Sequence, residues 1–492
     1  MYCSRGIQLS SRKGYAVLLK DRRVKSMGKI RTIRLTLLVV GMSICAAAQV
    51  NSQSQPETTP APAFGQNAPV LNPENPPVSG LDEPGLELHT ATRSFVSPAL
   101  QVSESADTNG GNQLGNTGLE STTHVLGALD LQQFWPKSDL FLEYLGGGEF
   151  YASPYDVQQL QAAGLEAVTR WRTGQVTLRD SFSYLPDGSF QVGFGGVPGM
   201  GLATGGTGGL GLGAGLHLFG SGQFGSVGDI PRLANTAVLD AVQALSPVSA
   251  ITVAGGFSNA HFYDPTNILI NSDQVTIEGG YSHLLSRRDQ IGAIYAFELI
   301  QFPQSTGGQI YVHVVNLRWS HTITGRLRLV AGAGPEYTDL EEGGYYTHWS
   351  VSARVQLSYK FGHSSMFASY ERFTSPGSGF FAGANTQAAR LGYTRPLGRT
   401  WNFYGDLGYS HNTRLQSVAD FGAVNAASYN EGSVGAVFRK HLGRSYDFFA
   451  SYRFGEVAFN APVCFSGSCG KISQRQLGTV GVEWHPRPTR IE

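Results

Sequence analysis

The chain has 492 residues, and its 36 lysines and arginines balance 36 aspartates and glutamates, so the formal net charge is zero. A neutral chain lacks the basic surface that nucleic-acid binding requires, which excludes nucleic acid as an expected partner. Only 15% of the residues are charged, and no change in composition divides the last three quarters, which favours one large repetitive unit over several domains.

Residues 1–48 are organised like an export leader. Lys25, Lys29 and Arg34 precede an apolar run at 35–44, and three alanines follow at 46–48. Charged, apolar and small residues in this order predict a cleavable signal peptide. The apolar run is too short to cross a bilayer as a helix, so we expect export rather than anchoring.

Residues 49–122 are rich in Pro, Gln, Asn, Ser and Thr and contain few large apolar side chains. Such a composition cannot offset the conformational entropy that is lost on ordering. We therefore expect a disordered periplasmic segment whose removal leaves the rest of the protein intact.

From residue 123 to the C-terminus, apolar and polar residues alternate in successive segments, most regularly at 349–361. A strand sends successive side chains to opposite faces, so this period of two makes one dry face and one wet face. At about 3.3 Å per residue the segment is long enough for a tilted strand that crosses a bilayer.

The connections between these segments alternate between short and long. Short ones lie at 172–174, 245–248, 285–289, 322–325, 361–364, 395–399 and 440–445, and long ones lie between them. Outer-membrane barrels have short periplasmic turns and longer outside loops. The sequence predicts an all-β, transmembrane, antiparallel up-and-down β-barrel at 123–492, with about sixteen strands counted from Ser138 and a range of fourteen to eighteen, since 123–134 is an extra candidate.

The signal peptide and this architecture make the chain similar to the porin-type β-barrel proteins of the Gram-negative outer membrane, over roughly residues 123–486. The resemblance implies an outer-membrane location and a passive channel for small hydrophilic solutes. It also implies contact with outer-membrane lipid, insertion by the barrel-assembly machinery, and a homotrimer of the kind common among sixteen-stranded porins. Val480, Val482 and Trp484 have the outward parity that such a last strand requires.

Two other interpretations stay open. The first is a closed barrel with a structural or adhesive role at the cell surface, and the second is a secreted, soluble β-sandwich adhesin. Aromatic residues at both ends of a segment, such as Trp401 with Tyr409 and Tyr446 with Phe454, are typical of membrane girdles and favour a barrel.

Nothing in the sequence predicts an enzyme, a cofactor or a metal site. The twelve histidines are scattered singly, and neither HExxH nor GxSxG occurs. Residues 206–211 match GxGxxG, but they lie in a Gly-rich run without the strand and helix that a nucleotide site needs. We expect the whole run, 193–228, to be a flexible outer loop or to fold back and narrow the pore.

Cleavage after Ala48 leaves only Cys464 and Cys469. Two cysteines this close in an exported protein predict a disulfide in the outer loop between the last two strands. Binding of a metal by two thiols alone is a weaker alternative, because zinc takes four ligands.

Counting inward positions from the short turns predicts four pairs of neighbours that line the pore. They are Arg318 with Arg328, Arg354 with Glu371, Arg390 with Asp406, and Arg439 with Asp447. Three pairs are of opposite charge, which stabilises facing strands by roughly 0.2–1 kcal/mol each. A wall with such balanced charge predicts an open channel with weak ion preference.

Overall fold

The computed structural model describes residues 94–109, 114–115, 118–151, 157–185, 230–263, 269–303, 308–341, 345–362, 364–377, 379–415, 426–465, 468–487 and 489–490. The predicted signal peptide at 1–48 and the Gly-rich run at 193–228 lie outside these residues. No helix among the described residues is long and apolar enough to span a membrane.

The described residues form strands joined by turns and loops. The strands are β1 Phe95–Asp107, β2 Glu120–Phe134, β3 Ser138–Tyr151, β4 Val157–Trp171, β5 Gly174–Leu185, β6 Arg232–Ser246, β7 Ser249–Phe262, β8 Ser272–Leu284, β9 Asp289–Gln301, β10 Gln309–Thr324, β11 Leu327–Glu341, β12 Tyr345–Phe361, β13 Ser364–Ser375, β14 Ala384–Leu397, β15 Trp401–Arg414, β16 Ser428–His441, β17 Tyr446–Phe465, β18 Ser468–Trp484 and the two-residue β19 Thr489–Arg490.

Each strand from β1 to β17 pairs antiparallel with the next one, and β1 also pairs with β18, from Leu100 opposite Trp484 to Asp107 opposite Leu477. The sheet is therefore closed, and the predicted fold class of an antiparallel up-and-down barrel is confirmed. Its wall has 18 strands, and the sixteen counted from the sequence are β3–β18.

The start of the barrel differs from the sequence-based expectation. The extra candidate at 123–134 is part of β2, and β1 lies inside the segment that was expected to be disordered. Pro98 suits this first strand because the pairing with β18 begins only at Leu100, while β19 pairs only with Phe95 and Val96. A proline, which has no N–H to donate, is tolerated where a strand is unpaired on one side.

Side chains alternate across the wall as the period of two predicts. In β12, Val351 and Val355 are exposed on the outer face, whereas Ser352 between them is 1% exposed and faces the interior. The tight connections, such as 172–173 and 325–326, gather at one end, called here the short-turn end. The other is called the long-loop end. Strands that emerge there continue into longer connections, such as the one that follows β13.

Aromatic side chains form two rows on the outer face. Near the short-turn end, ring centroids lie 6.0 Å apart for Phe361 and Tyr393, 6.1 Å for Tyr393 and Phe403, and 4.9 Å for Phe403 and Phe438. Near the long-loop end, they lie 5.2 Å apart for Phe297 and His313, 6.0 Å for His313 and Tyr337, and 5.0 Å for Tyr337 and Trp349. Two such rows are typical of the interfacial girdles of membrane barrels.

The hairpin of β17 and β18 carries the predicted disulfide. Cys464 and Cys469 are bonded, with their Cα atoms 4.1 Å apart, and they face each other across the hairpin. Below them, a register shift between Ala458 and Val463 interrupts the pairing. The disulfide therefore holds the tip of the hairpin beyond an irregular stretch of the ladder.

Candidate functional site: the barrel lumen

The lumen wall is polar around its whole circumference, since every strand from β1 to β18 contributes at least one buried polar or charged side chain. The buried arginines are Arg179, Arg232, Arg318, Arg439, Arg453 and Arg475. The buried acidic residues are Asp107, Asp139, Glu149, Glu166, Asp240, Glu278, Glu298, Glu336, Glu431, Asp447 and Glu483. An apolar exterior with a polar, charged interior is the pattern of a transmembrane barrel that encloses water.

Two of the predicted neighbour pairs form ion pairs. Arg354 on β12 is the direct Cα partner of Glu371 on β13, and Nη2 lies 3.3 Å from Oε1. Arg439 on β16 donates from Nε to Asp447 Oδ2 at 2.8 Å. The first pair is partly exposed, with side chains 17% and 13% accessible, whereas the second is buried.

Asp447 is the centre of a larger network at the short-turn end. Arg439 Nη2 also lies 3.2 Å from Glu483 Oε2 on β18, and His441 Nδ1 lies 2.6 Å from Asp447 Oδ1. His485 Nε2 lies 3.3 Å from the other oxygen of Asp447. One arginine is thus shared by two buried carboxylates, and this network ties β16, β17 and β18 together.

The other two predicted pairs have different outcomes. Arg390 faces Gly408, and Asp406 faces Gly392, so the two residues are diagonal neighbours on β14 and β15; the side chain of Asp406 lies outside the described part of the structure. Arg318 and Arg328 are not brought together, because the turn falls at 325–326, later than predicted. Arg318 faces Gly332, while Arg328 is exposed and donates from Nε to Ser320 Oγ at 3.3 Å.

Two sets of ionic contacts that involve the first strands were not predicted from the sequence. Arg179 on β5 lies 3.3 Å from Glu166 on β4 and 3.3 Å from Asp240 on β6. Arg475 Nε donates to Asp107 Oδ2 at 2.6 Å, which joins β18 to β1 across the closure of the barrel. Inward parity could have identified the first contact, but the second depends on a pairing between the two ends of the chain.

Ser105, His124 and Glu149 form a hydrogen-bonded chain on β1, β2 and β3. Ser105 Oγ lies 2.9 Å from His124 Nε2, and His124 Nδ1 lies 3.1 Å from Glu149 Oε1. Hydrolytic triads use this order of groups, but Ser105 is only 2% exposed and also donates to the carbonyl oxygen of Thr122 at 3.2 Å. The strand N–H groups beside it belong to the ladders with β2 and β18.

At the long-loop end an apolar cluster extends into the lumen. Its centre is the connection between β13 and β14, where Phe380 and Phe381 are almost completely buried. The ring of Phe380 lies 5.4 Å from that of Tyr429 on β16 and 5.2 Å from that of Phe459 on β17. On the other side, Phe262 of β7 belongs to the same cluster. Since β7 and β17 are far apart in the strand order, the connection narrows the lumen.

Three glycines with positive φ, Gly377, Gly379 and Gly383, let this connection fold inward. A Cβ atom on Gly379 would lie 2.8 Å from the ring of Phe262, and one on Gly383 would lie 2.3 Å from Ile310 Cδ1. Each close approach therefore requires glycine. The Gly379 carbonyl also accepts a 2.8 Å hydrogen bond from the Ile270 N–H. The run at 193–228, for which the sequence predicts either a flexible outer loop or a loop that folds back and narrows the pore, lies outside the described residues.

No protein-family model matches the chain, and no curated protein matches it. The solved structures to which it is similar include outer-membrane proteins. OpdK from Pseudomonas aeruginosa is 11% identical, with a TM-score of 0.38, over 80% of this chain and 98% of that one. OpdQ from the same organism is 10% identical, with a TM-score of 0.39, over 81% and 100%. The FrpB iron transporter from Neisseria meningitidis is 8% identical, with a TM-score of 0.39, over 80% and 83%. Similarity at this level assigns no function, so the function has to be inferred from the residues that line the lumen.

Proposed function

We propose that this protein is a passive outer-membrane channel for small hydrophilic solutes. The observation that carries the proposal is the opposition of the two faces of the wall: polar and charged side chains point inward from every strand, while large apolar side chains are exposed outward. In water, a sheet of this kind would expose its apolar face. In a bilayer, the same face meets lipid and the polar face encloses an aqueous path.

The two outer rows of aromatic rings support the membrane location. We include outer-membrane lipid and the barrel-assembly machinery among the proposed partners, the latter because Val480, Val482 and Trp484 of the last strand are exposed on the outer face. Assembly as a homotrimer is a separate proposal, which the mass of the purified protein in detergent tests.

A closed barrel with a structural or adhesive role is the second candidate. The apolar cluster around Phe380 and Phe381 favours it, because an apolar constriction can exclude water and ions from a pore. The two candidates share the fold and differ in whether solute passes the cluster.

Conductance in planar lipid bilayers distinguishes the two candidates. We expect discrete single-channel steps from the purified protein, and a conductance at least twofold larger when Phe380→Ser and Phe381→Ser are combined, because the substitutions make the constriction polar. Phe141→Ser, which changes a buried inward aromatic near the short-turn end of β3, is the matched control and should leave the conductance within the range of the parent.

Silence of the parent with steps from the double variant would favour the closed barrel. Silence of both proteins, each shown to be folded by a heat-dependent mobility shift on SDS gels, would contradict the channel.

A further inference from the structure

We propose that Glu298 is the centre of a binding site in the lumen for a primary alkylammonium group. Glu298 faces inward from β9 and is 0% exposed, and neither oxygen of its carboxylate has a hydrogen-bond partner among the described residues. Buried carboxylates in native proteins are normally paired and hydrogen-bonded. A carboxylate without these contacts is suited to a partner that arrives from outside the chain.

Two hydroxyl groups on either side of Glu298 also lack a hydrogen-bond partner among the described residues. Thr276 on β8 is its direct Cα partner, and Thr338 on β11 lies on its other side, beyond Val312 of β10. Both threonines are buried, and neither hydroxyl has a hydrogen-bond partner in the described structure. Three neighbouring side chains therefore present oxygen atoms that the protein itself does not engage.

A second carboxylate adds negative charge beside them. Glu336 on β11 faces Val314, is 1% exposed, and accepts hydrogen bonds from Ser350 Oγ and Thr374 Oγ1, each at 2.7 Å. These contacts hold Glu336 in place from β12 and β13. In the described part of the chain, no lysine or arginine forms an ion pair with Glu298 or Glu336, so the local charge favours a cation.

The surroundings select the kind of cation. Inward apolar side chains line the wall between and above the oxygens: Ala296 and Ile300 on β9, and Ile310, Val312 and Val314 on β10. A calcium ion takes six to eight oxygen ligands, more than two carboxylates and two hydroxyls offer in this setting. A primary ammonium has three N–H donors, which can pair with the Glu298 carboxylate and with the Thr276 hydroxyl on the adjacent strand, and an attached alkyl chain can lie on the apolar wall.

The site adds a class of solute to the proposed channel. It rests on the proposed function in one respect, since the solute must reach the lumen. Equilibrium binding in detergent separates the two ideas, because it does not need passage through the barrel. The probe is n-pentylammonium chloride, titrated calorimetrically into the purified, full-length barrel. Tetramethylammonium, which has the charge but no N–H donor, and 1-pentanol, which has the chain but no charge, are the comparison ligands.

We expect saturable binding of n-pentylammonium and at least tenfold weaker binding of both comparison ligands. Glu298→Gln should weaken n-pentylammonium binding at least tenfold, and Thr276→Val should weaken it severalfold. Glu431→Gln, which neutralises a buried inward carboxylate on β16, is the matched control and should bind as the parent does. The heat-dependent mobility shift on SDS gels verifies the fold of each variant.

Absence of saturable binding to the parent, equal affinity for tetramethylammonium, or unchanged affinity in a folded Glu298→Gln variant would each overturn the inference. If Glu298→Gln does not fold, the ligand comparison on the parent and the Thr276→Val variant decide it. Conductance of the parent remains a separate result, so a channel without this site and a site without a channel are distinguishable.

Discussion

At the level of single residues, the network around Asp447 should matter most for stability. Arg439 neutralises two carboxylates that are almost inaccessible to solvent. Arg439→Gln would leave Asp447 and Glu483 buried without their cation, which typically costs about 3–5 kcal/mol. We expect the free energy of unfolding in urea, followed by tryptophan fluorescence, to fall by an amount in that range.

Arg354→Gln is the matched control for this prediction. It also removes an arginine from a carboxylate of the lumen wall, but its pair with Glu371 is partly exposed. A partly exposed pair contributes about 1 kcal/mol or less. Equal losses of stability in the two variants would show that burial does not set the strength of these contacts.

Ser105 allows the question of catalysis to be tested directly. The order of groups from Ser105 through His124 to Glu149 is that of a hydrolytic triad, but the hydroxyl is buried and the neighbouring N–H groups belong to strand ladders, so no oxyanion site accompanies it. We expect a fluorophosphonate probe to leave the folded barrel unlabelled. Labelling that disappears in Ser105→Ala would contradict the prediction that the protein is not an enzyme.

At the level of secondary-structure elements, β1 decides whether the barrel closes. It pairs with β2 on one side and with β18 on the other, so deletion of 95–107 would leave two open strand edges in contact with lipid. Unsatisfied backbone groups in a bilayer cost several kcal/mol each. We expect the protein to lose its heat-dependent mobility shift on SDS gels, that is, its heat-modifiable band.

Deletion of 53–93, which ends before β1, is the control and should retain the heat-modifiable band. Deletion of 53–117 should lose it, contrary to what the polar composition of 49–122 predicted. A folded protein after removal of 95–107 would show that β1 is not part of the barrel.

The sequence predicts a strand well when the residues that define it lie close together in the chain. Alternation predicted β3–β18 because each strand follows a short turn or a long connection. Leu100 and Val102 alternate with Gln101 and Ser103 in β1 as well, but Pro98 and a polar neighbourhood weaken the signal. The salt bridge that closes the barrel joins residues 368 positions apart, and no local pattern reports such a pairing.

The same reasoning applies to the lumen. The contact between Arg354 and Glu371 was predictable because one tight turn relates the two residues. The predicted contact between Arg318 and Arg328 was wrong, because a displacement of the turn by a few residues shifts all the pairs across it. The inward fold of residues 376–377 and 379–383 was not predictable, since loop length alone does not say which way a loop folds. Positive φ at Gly377, Gly379 and Gly383 is visible only in the structure.

The disulfide at the tip of the last hairpin should stiffen that tip without holding the barrel together. The β17–β18 ladder below it runs from Tyr446 opposite Trp484 to Ala458 opposite Ile472, independently of Cys464 and Cys469. We expect thiol alkylation of the denatured, unreduced protein to label neither cysteine. The variant with both cysteines changed to serine should keep the heat-modifiable band, while protease cleavage at the tip should increase. Full labelling without reduction would contradict the disulfide.

At the level of the whole molecule, the charges of the lumen should set its ion preference. Most buried arginines and acids are already engaged within the wall, as in the network around Asp447. Permeating ions respond more strongly to charges that water reaches, such as Arg354, Glu371 and Arg390, which are only half-buried. Because both signs are represented among them, the parent channel should discriminate only weakly between cations and anions.

Removing the half-buried positive charges tests whether the charges of the lumen set the ion preference. Arg354→Ala combined with Arg390→Ala leaves Glu371 without its 3.3 Å partner and makes the accessible part of the wall more negative. We expect the reversal potential in a potassium chloride gradient to shift toward the potential of a cation-selective pore. Arg372→Ala, on β13 with outward parity, removes one positive charge from the lipid-facing side of the wall and should leave the reversal potential unchanged. Strong selectivity in the parent, or equal shifts in the inward and outward variants, would show that the lumen charges do not govern permeation.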